Sequence, residues 1–349
     1  MVTQLTVFVR RLLSQFRQQA AGSFTILFTV GLSLSLVVSC SSNPSTTSAL
    51  SQANSASTAS NTSVVRIGYQ KAATILSLLK SRGELEKALA ASGGSVTWSE
   101  FPAGAPMLEA MNAGAIDFGY TGESPPIFAQ AAGNPVRYVA YDPWSPKAEA
   151  IVVPKNSPIQ KVEDLKGKKV AVAKGSNTIY LLASALKSVG LNYSDITPAY
   201  LSPADARAAF EGGNIDAWSI WDPYLAVAEE VAGARIIRDG AGLAPNRGYY
   251  LAAQSFTEKQ PQALKTVLDQ VKQVSEFAKG NSSEVAKFLA PTLGIDAAAL
   301  EKAEKRREYG VLPLTDEVIT QQQAIADTFH DINLIPKKIV VKEAVANVS

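Results

Sequence analysis

The chain has 349 residues, 46% hydrophobic and 18% charged, long enough for two domains with separate cores and too polar for a multispanning membrane protein. Its 33 basic and 31 acidic side chains give a formal charge of +2. Three basic ones, Arg10, Arg11 and Arg17, fall in an N-terminal segment that reads as removable; without them 30 stand against 31, a balance of −1 that supports neither nucleic-acid binding nor a polybasic membrane role.

Residues 1–39 read as an export signal. Three arginines precede an apolar run over 24–39, shorter than the roughly 20 residues a span needs, and the run ends in Leu36-Val37-Val38-Ser39-Cys40. That ending resembles a bacterial lipobox, in which the cysteine is lipidated and becomes the first residue of the mature chain; the alternative is an uncleaved anchor. Cys40 is the sole cysteine, so lipidation leaves no disulfide and no thiol nucleophile, and the mature fold must hold by packing. A multiply acylated Cys40 would keep the protein at the membrane surface. Residues 41–63 are uncharged and rich in Ser, Thr, Asn and Ala, which predicts a flexible tether over 40–63.

The folded part opens on Val64-Val65-Arg66-Ile67-Gly68-Tyr69-Gln70, a β-branched run that predicts a strand stopping at Gln70. Apolar positions at Ile75, Leu78, Leu79 and Leu85 predict a helix over 71–89 with a dip at Gly83. A strand over 95–101 and a helix over 107–112 follow. Next, Ile116, Phe118 and Tyr120 alternate as in a strand, Thr121-Gly122-Glu123-Ser124 turns the chain, and Pro125-Pro126 opens a helix. Such a turn presents unpaired N–H groups and the positive end of a helix dipole, so it can hold an anion without a cationic side chain. A strand over 136–140 completes this half.

Beyond Ile151-Val152-Val153-Pro154 the chain is expected to change lobes. A strand over 168–173 leads through Lys174-Gly175-Ser176-Asn177-Thr178 into a helix over 179–189. Ser176, Asn177 and Thr178 suit either N-capping alone or a ligand-binding turn. A strand over 196–201, a helix over 204–211 and a strand over 215–220 reach Trp221-Asp222-Pro223, where Asp222 reads as N-cap and Pro223 as the first helical residue. The Gly-x-Ile-Asp of Gly114–Asp117 recurs at Gly213–Asp216, and an ungapped overlay sets Glu123 over Asp222, which points to two related halves. Strands over 235–238 and 249–253 are expected to return the chain to the first lobe, followed by helices over 261–279, 282–289, 296–307 and 316–327. Strands alternating with helices predict an α/β protein with parallel sheets covered on both faces. Ligands of such sheets bind beyond the carboxyl ends of the strands, where Gln70, Thr121, Ser176 and Asp222 fall.

The series RIGYQKA, FPAGAPMLEAMNAGAIDFGYTGESPPIFAQAAG, DLKGKKVAVAKGSN and LSPADARAAFEGGNIDAWSIWDPYLAVAE resembles the substrate-binding proteins of aliphatic sulfonate ABC importers, over Val64 to about Leu334. The resemblance implies a two-lobed type II periplasmic-binding-protein fold, each lobe a mixed, mostly parallel sheet flanked by helices, with the ligand cleft between them and closure by a hinge. It divides the chain into a first lobe over 64–150, a second over 151–247 and a return over 248–349. It also implies a monomer that delivers ligand to a membrane permease with its own ATPase. This sequence departs from the family in three places: Glu123 stands where a TGD turn would carry Asp, Asn177-Thr178-Ile179 lacks the His often found after Ser-Asn, and the segment 141–147 differs from the usual proline-rich linker.

A sulfonate is a permanently ionised oxyanion on an apolar tail, so it needs converging donors and an apolar chamber. Candidate donors are the backbone N–H groups of Gly122–Ser124 and Ser176–Thr178, the hydroxyls of Thr121, Ser124, Ser176 and Thr178, and the amides of Gln70 and Asn177. Arg247, between the lobes, could add a charged fork or be a solvated loop residue. Trp218 and Trp221 are candidates to wall the tail; strand alternation puts one residue of this region in the core without saying which. Glu123 and Asp222 would repel a sulfonate unless they cap helices, pair with cations or meet the ammonium of an amino-sulfonate. Taurine and nitrate are the alternative ligands. An enzyme of the pyrimidine-forming or thiamine-degrading type is the rival class, but the sole histidine, His330, has no nucleophilic partner, and neither a metal-ligand cluster nor a cofactor loop is visible.

Overall fold

The computed structural model describes residues 63–346; the expected export signal, Cys40 and nearly all of the tether lie outside them. The described strands form two five-stranded sheets on one plan. In the first, β1 (Val64–Tyr69), β2 (Ser95–Glu100), β3 (Phe118–Gly122) and β4 (Val136–Tyr141) run in one direction, with β10 (Gly248–Ala253) antiparallel between β3 and β4. In the second, β6 (Lys169–Val172), β7 (Thr197–Tyr200), β8 (Ala217–Trp221) and β9 (Arg235–Asp239) repeat the pattern, with β5 (Glu149–Val153) antiparallel between β8 and β9. The two-lobed, mixed α/β architecture is thus as expected. Two boundaries need correction. β5 begins at Glu149, so the first crossing precedes Ile151, and β9 stays in the second sheet as an edge strand on β5 rather than leading back.

The helices between the strands are α1 (Thr74–Arg82), α2 (Glu84–Ala90), α3 (Gly104–Asn112), α4 (Ser124–Ala131), α5 (Asn177–Ser188), α6 (Pro203–Glu211) and α7 (Tyr224–Glu230). The single helix expected over 71–89 is two: Gly83, at φ 64°, takes the left-handed conformation that ends α1, and its N–H bonds the Lys80 carbonyl. β5 and β8 are buried along their whole length, as strands covered on both faces must be.

The repeated Gly-x-Ile-Asp has one structural task in both lobes. The Asp117 carboxylate accepts the Arg66 backbone N–H at 2.9 Å, while the Asp117 N–H returns a bond to the Arg66 carbonyl at 2.7 Å. Asp216 does the same to Lys169, at 2.8 and 2.9 Å. Each aspartate pins the approach to the third strand of its lobe onto the first strand, and the preceding isoleucine, Ile116 or Ile215, is buried.

The C-terminal helices do not belong to the first lobe alone. After the short α8 (Gln254–Lys259), α9 (Pro261–Ala278) and α10 (Ser282–Leu293) pack on α1 and α2 through Val267, Val271, Val285 and Leu289. The next, α11 (Ala297–Glu304), sets Ala299 and Ala303 against Ala226 and Val227 of α7 in the second lobe. On α12 (Asp316–Asp331), the Phe329 ring lies tilted against Phe128 of the first lobe at 5.1 Å and edge-on to Tyr180 of the second at 6.0 Å.

The two aspartate clasps differ in burial: Asp117 is 4% exposed and also takes the Arg66 guanidinium, whereas Asp216 is exposed. Asp117→Ala is expected to cost about 1–3 kcal/mol of stability and Asp216→Ala less than half as much. Urea unfolding of both variants checks this, and equal losses would contradict it.

Candidate functional site

The carboxyl ends of β1, β3 and β8 meet the two crossings, 142–148 and 240–247, around one small hollow of about 40 Å³, room for a compact headgroup or a few waters. From the first lobe it is lined by Gln70, Ala72, Ala73, Tyr120, Thr121 and Gly122, and from the second by Asn177, Trp221 and Asp222. The crossings add Ser145, Ala148, Asn246 and Arg247, the start of β10 adds Gly248, and the segment after α11 adds Arg307. Seven of the twelve residues singled out in the sequence therefore come together: Gln70, Thr121, Gly122, Asn177, Trp221, Asp222 and Arg247.

Several are held by their neighbours. Gln70 spends one amide hydrogen on the Tyr120 carbonyl at 3.0 Å. Thr121 has room because residue 104 is glycine; a Cβ there would lie 2.1 Å from the Thr121 hydroxyl. Gly122 touches the opposite lobe, since a Cβ on it would lie 2.7 Å from Asn177 Oδ1. Asn177 does not offer its amide hydrogens to the hollow: Nδ2 donates to Glu149 at 2.6 Å and to Asn246 at 2.7 Å.

The other five stand behind the lining. Ser176 donates to the Ala173 carbonyl at 2.7 Å and shares a hydrogen bond with the Thr178 hydroxyl at 2.9 Å, so both hydroxyls serve the turn itself. Ser124 is fully buried with an unpaired hydroxyl. Trp218 packs on Phe210 at 5.9 Å in the second-lobe core, which resolves the strand alternation: Trp221 faces the hollow and Trp218 does not. Glu123 lies under the hollow and accepts the Arg247 backbone N–H at 2.9 Å. Asp222 acts one residue outside its expected place. Pro223 is the N-cap of α7, and the Asp222 carboxylate reaches past it to the Ala226 N–H at 3.0 Å and to Arg306 at 3.4 Å.

Two guanidiniums meet at the hollow. Arg247 is 4% exposed, lies 5.0 Å from the Tyr141 ring and 5.2 Å from the Trp144 ring, and donates to Gln321 at 3.0 Å; its Nε is buried without a partner. It is not a solvated loop arginine. Arg307 was missed because Lys305-Arg306-Arg307 reads as the charged end of a helix. It donates to the Ala72 carbonyl and to Thr74 at 3.2 Å. Burial opposes its charge, but Tyr120, Tyr309, Glu304 and Asp142 outweigh that and raise its pKa. Asn246, also missed, sits at φ 46°, a conformation asparagine tolerates better than most residues.

Glu123, Asp142 and Asp222 lie near these cations, Glu149 lies behind Asn177, and burial raises all four acids. Glu123 is pushed up to about 7, with the Arg247 N–H and charge opposing the shift. Asp142 and Asp222 each rise to about 6, held down in part by the Tyr120 hydroxyl and by Arg306, respectively. Glu149 goes well above the carboxylate range, driven by burial and then by the charge of Glu123. Among the described residues no group of three or more His, Cys, Asp or Glu could hold a metal ion. His330 lies beside Asp331 at the end of α12, outside the lining.

The family model described as NMT1/THI5 like matches residues 92–285. An aliphatic sulfonates-binding protein of Escherichia coli (strain K12) is 44% identical over 287 residues, 82% of this chain and 89% of that protein. Among solved structures, the alkanesulfonate-binding protein from Xanthomonas axonopodis pv. citri bound to MOPS superposes with a TM-score of 0.78 at 41% identity, over 81% of this chain and 98% of that one. The periplasmic aliphatic sulphonate binding protein from Escherichia coli superposes at 0.75 with 43% identity, over 82% and 92%.

The raised acids fix a sign for stability against pH. Glu123 holds its proton more tightly folded, at about 7, than its ordinary 4.5, so its contribution is complete below about 4.5 and is lost as pH rises through about 7. Relative to Glu123→Gln, the wild type is therefore expected to lose stability over that window. Urea midpoints of the two proteins between about pH 4.5 and 8 measure it, and a constant difference would show that Glu123 ionises freely.

Proposed function

The chain belongs to the family of aliphatic sulfonate-binding proteins, and from that premise we propose that it captures sulfonates outside the cytoplasmic membrane as the substrate-binding component of an ABC importer. The observation that carries this reading is the meeting of Arg247 and Arg307 in one small hollow shared by both lobes. A sulfonate headgroup would take the unpaired Arg247 Nε–H, the free valences of Arg307, the Thr121 hydroxyl and the N–H groups of the Gly122 turn. Trp221 with Ala72, Ala73 and Ala148 supplies the apolar side, against which the tail would lie.

The wider reading follows from the same premise. Export by the N-terminal signal, lipidation at Cys40 and a tether over 40–63 would hold a monomer at the membrane face. It would then pass ligand to a permease with its own ATPase, for sulfur acquisition. Relatives named as binding proteins, and the absence of a histidine or cysteine among the lining residues, favour capture without turnover.

Calorimetric titration with ethanesulfonate, taurine, nitrate and sulfate tests the reading. Ethanesulfonate is expected to bind with no product formed, and a protein that binds no sulfonate would refute it. Arg307→Gln is expected to weaken binding at least about tenfold through loss of a charge-assisted contact. Gly122→Ala is expected to weaken it as well, because the new Cβ meets Asn177 as the lobes close. Unchanged affinity in both variants would move the ligand elsewhere.

A further inference from the structure

Glu123, Glu149, Asp142 and Asp222 are each at most 8% exposed, in and behind the wall of the hollow. Asp142 and Asp222 have donors of their own: the Tyr120 hydroxyl and Gly248 N–H for one, the Ala226 N–H and Arg306 for the other. Glu123 and Glu149 are each satisfied on one oxygen only. Oε2 of Glu123 accepts the Arg247 N–H at 2.9 Å and Oε2 of Glu149 accepts Asn177 Nδ2 at 2.6 Å, while both Oε1 atoms are buried without a partner.

The two acids come from opposite sides of the cleft and are connected through Asn177 and the neighbouring residues Asn246 and Arg247. Asn177, which holds Glu149, also donates to Asn246 Oδ1 at 2.7 Å, and Asn246 adjoins the Arg247 N–H that holds Glu123. The other groups facing Glu123 are the Arg247 guanidinium, Asp142, Tyr180 and Tyr249; Glu149 faces Glu123 and Asn177. Two charged carboxylates in so dry a place repel each other, and an anion beside them would add a third like charge.

We propose that Glu123 and Glu149 hold one proton between them when the lobes meet, and that this pair limits the site to monoanions, rejecting sulfate and hydrogen phosphate dianions. The inference rests on the sulfonate reading of the hollow and adds what selects among anions. Bringing Glu123 to Glu149 draws a proton from solvent at neutral pH, so capture and proton uptake are one event. The remaining charge of the pair is balanced by Arg247 when the ligand carries one negative charge. A second ligand charge would have no counterpart. Neither glutamate lines the hollow; Glu149 acts through Asn177, and Glu123 through the Arg247 backbone.

The test titrates the mature chain with ethanesulfonate and with sulfate near pH 7.5 in Tris and in imidazole, buffers that present no oxyanion and differ in ionisation enthalpy. Uptake of about half to one proton per ethanesulfonate is expected, with sulfate at least about 100-fold weaker. In Glu149→Gln and in Glu123→Gln the buffer dependence is expected to fall, since one carboxylate alone has no partner to share a proton with, and the double variant, which also removes the remaining charge of the pair, is expected to narrow the sulfate gap at least about tenfold. A buffer-independent enthalpy in the wild type, or an unchanged sulfate gap in the double variant, overturns the proposal. Binding of neither anion would sink the sulfonate reading, and infrared spectra of the glutamate-labelled protein would still decide the proton: a protonated carboxyl band near pH 7.5 that Glu149→Gln removes supports it, and its absence from the wild type overturns it.

Discussion

The antiparallel strand that each sheet takes from the other half of the chain is the constraint from which the site follows. β5 arrives in the second sheet directly from β4 of the first, and β10 arrives in the first directly from β9 of the second. Neither sheet is complete without the other half, so the lobes are joined by two short crossings lying side by side. The Ser145 N–H bonds the Asn246 carbonyl at 3.3 Å, and the Gly248 N–H bonds Asp142 at 2.6 Å. Because the four parallel strands of each sheet empty toward these crossings, loop tips that are remote in sequence share one hollow. Arg247 and Asn246 reach it because they lie on a crossing.

That placement sets the electrostatics. A hollow at the seam of two lobes is dry when the lobes meet, and in a dry place a guanidinium is costly unless acids stand near it. Arg307 has Asp142 and Glu304 for that purpose, and Arg306 has Asp222 and Glu229. The acids in turn are raised by burial. The hollow sets the Gly122 turn beside two guanidiniums, of which the residues alone had suggested Arg247.

Much of this was legible in the residues, for physical reasons that can be named. Gly114–Asp117 and Gly213–Asp216 revealed the duplication because the clasp on Arg66 and on Lys169 needs an aspartate at that spacing. Gln70 and Thr121 could be placed because strand ends are local events, whereas Trp221 could not be told from Trp218 until the pairing of β8 was known. Ser176 and Thr178 could not be separated from Asn177, since a turn that caps a helix and a turn that binds a ligand use the same residue types. Arg307 was out of reach: nothing in a run of cations at a helix end says that one is carried back across the chain to Ala72. The β9 edge strand was misplaced for a similar reason, because pairing partners of an isolated apolar run are set by topology and not by its own pattern.

The C-terminal helices add a condition on how such a seam can open. Phe329 contacts Phe128 and Tyr180 on opposite lobes, and α11 buries alanines against α7, so the crossings are not the only ties. If the lobes swing apart, α12 cannot keep both aromatic partners, and Arg306 cannot keep both Asp222 and the turn it follows in place. The alanine contact of α11 on α7 is tied by Lys302 to Glu230 at 2.6 Å and to Glu229 at 3.4 Å and can stay together, whereas the Phe128–Phe329–Tyr180 cluster must break. Motion about this seam is therefore expected to pivot near α11 and open on the side of α12, which is the side where Glu123, Gln322 and Arg247 meet.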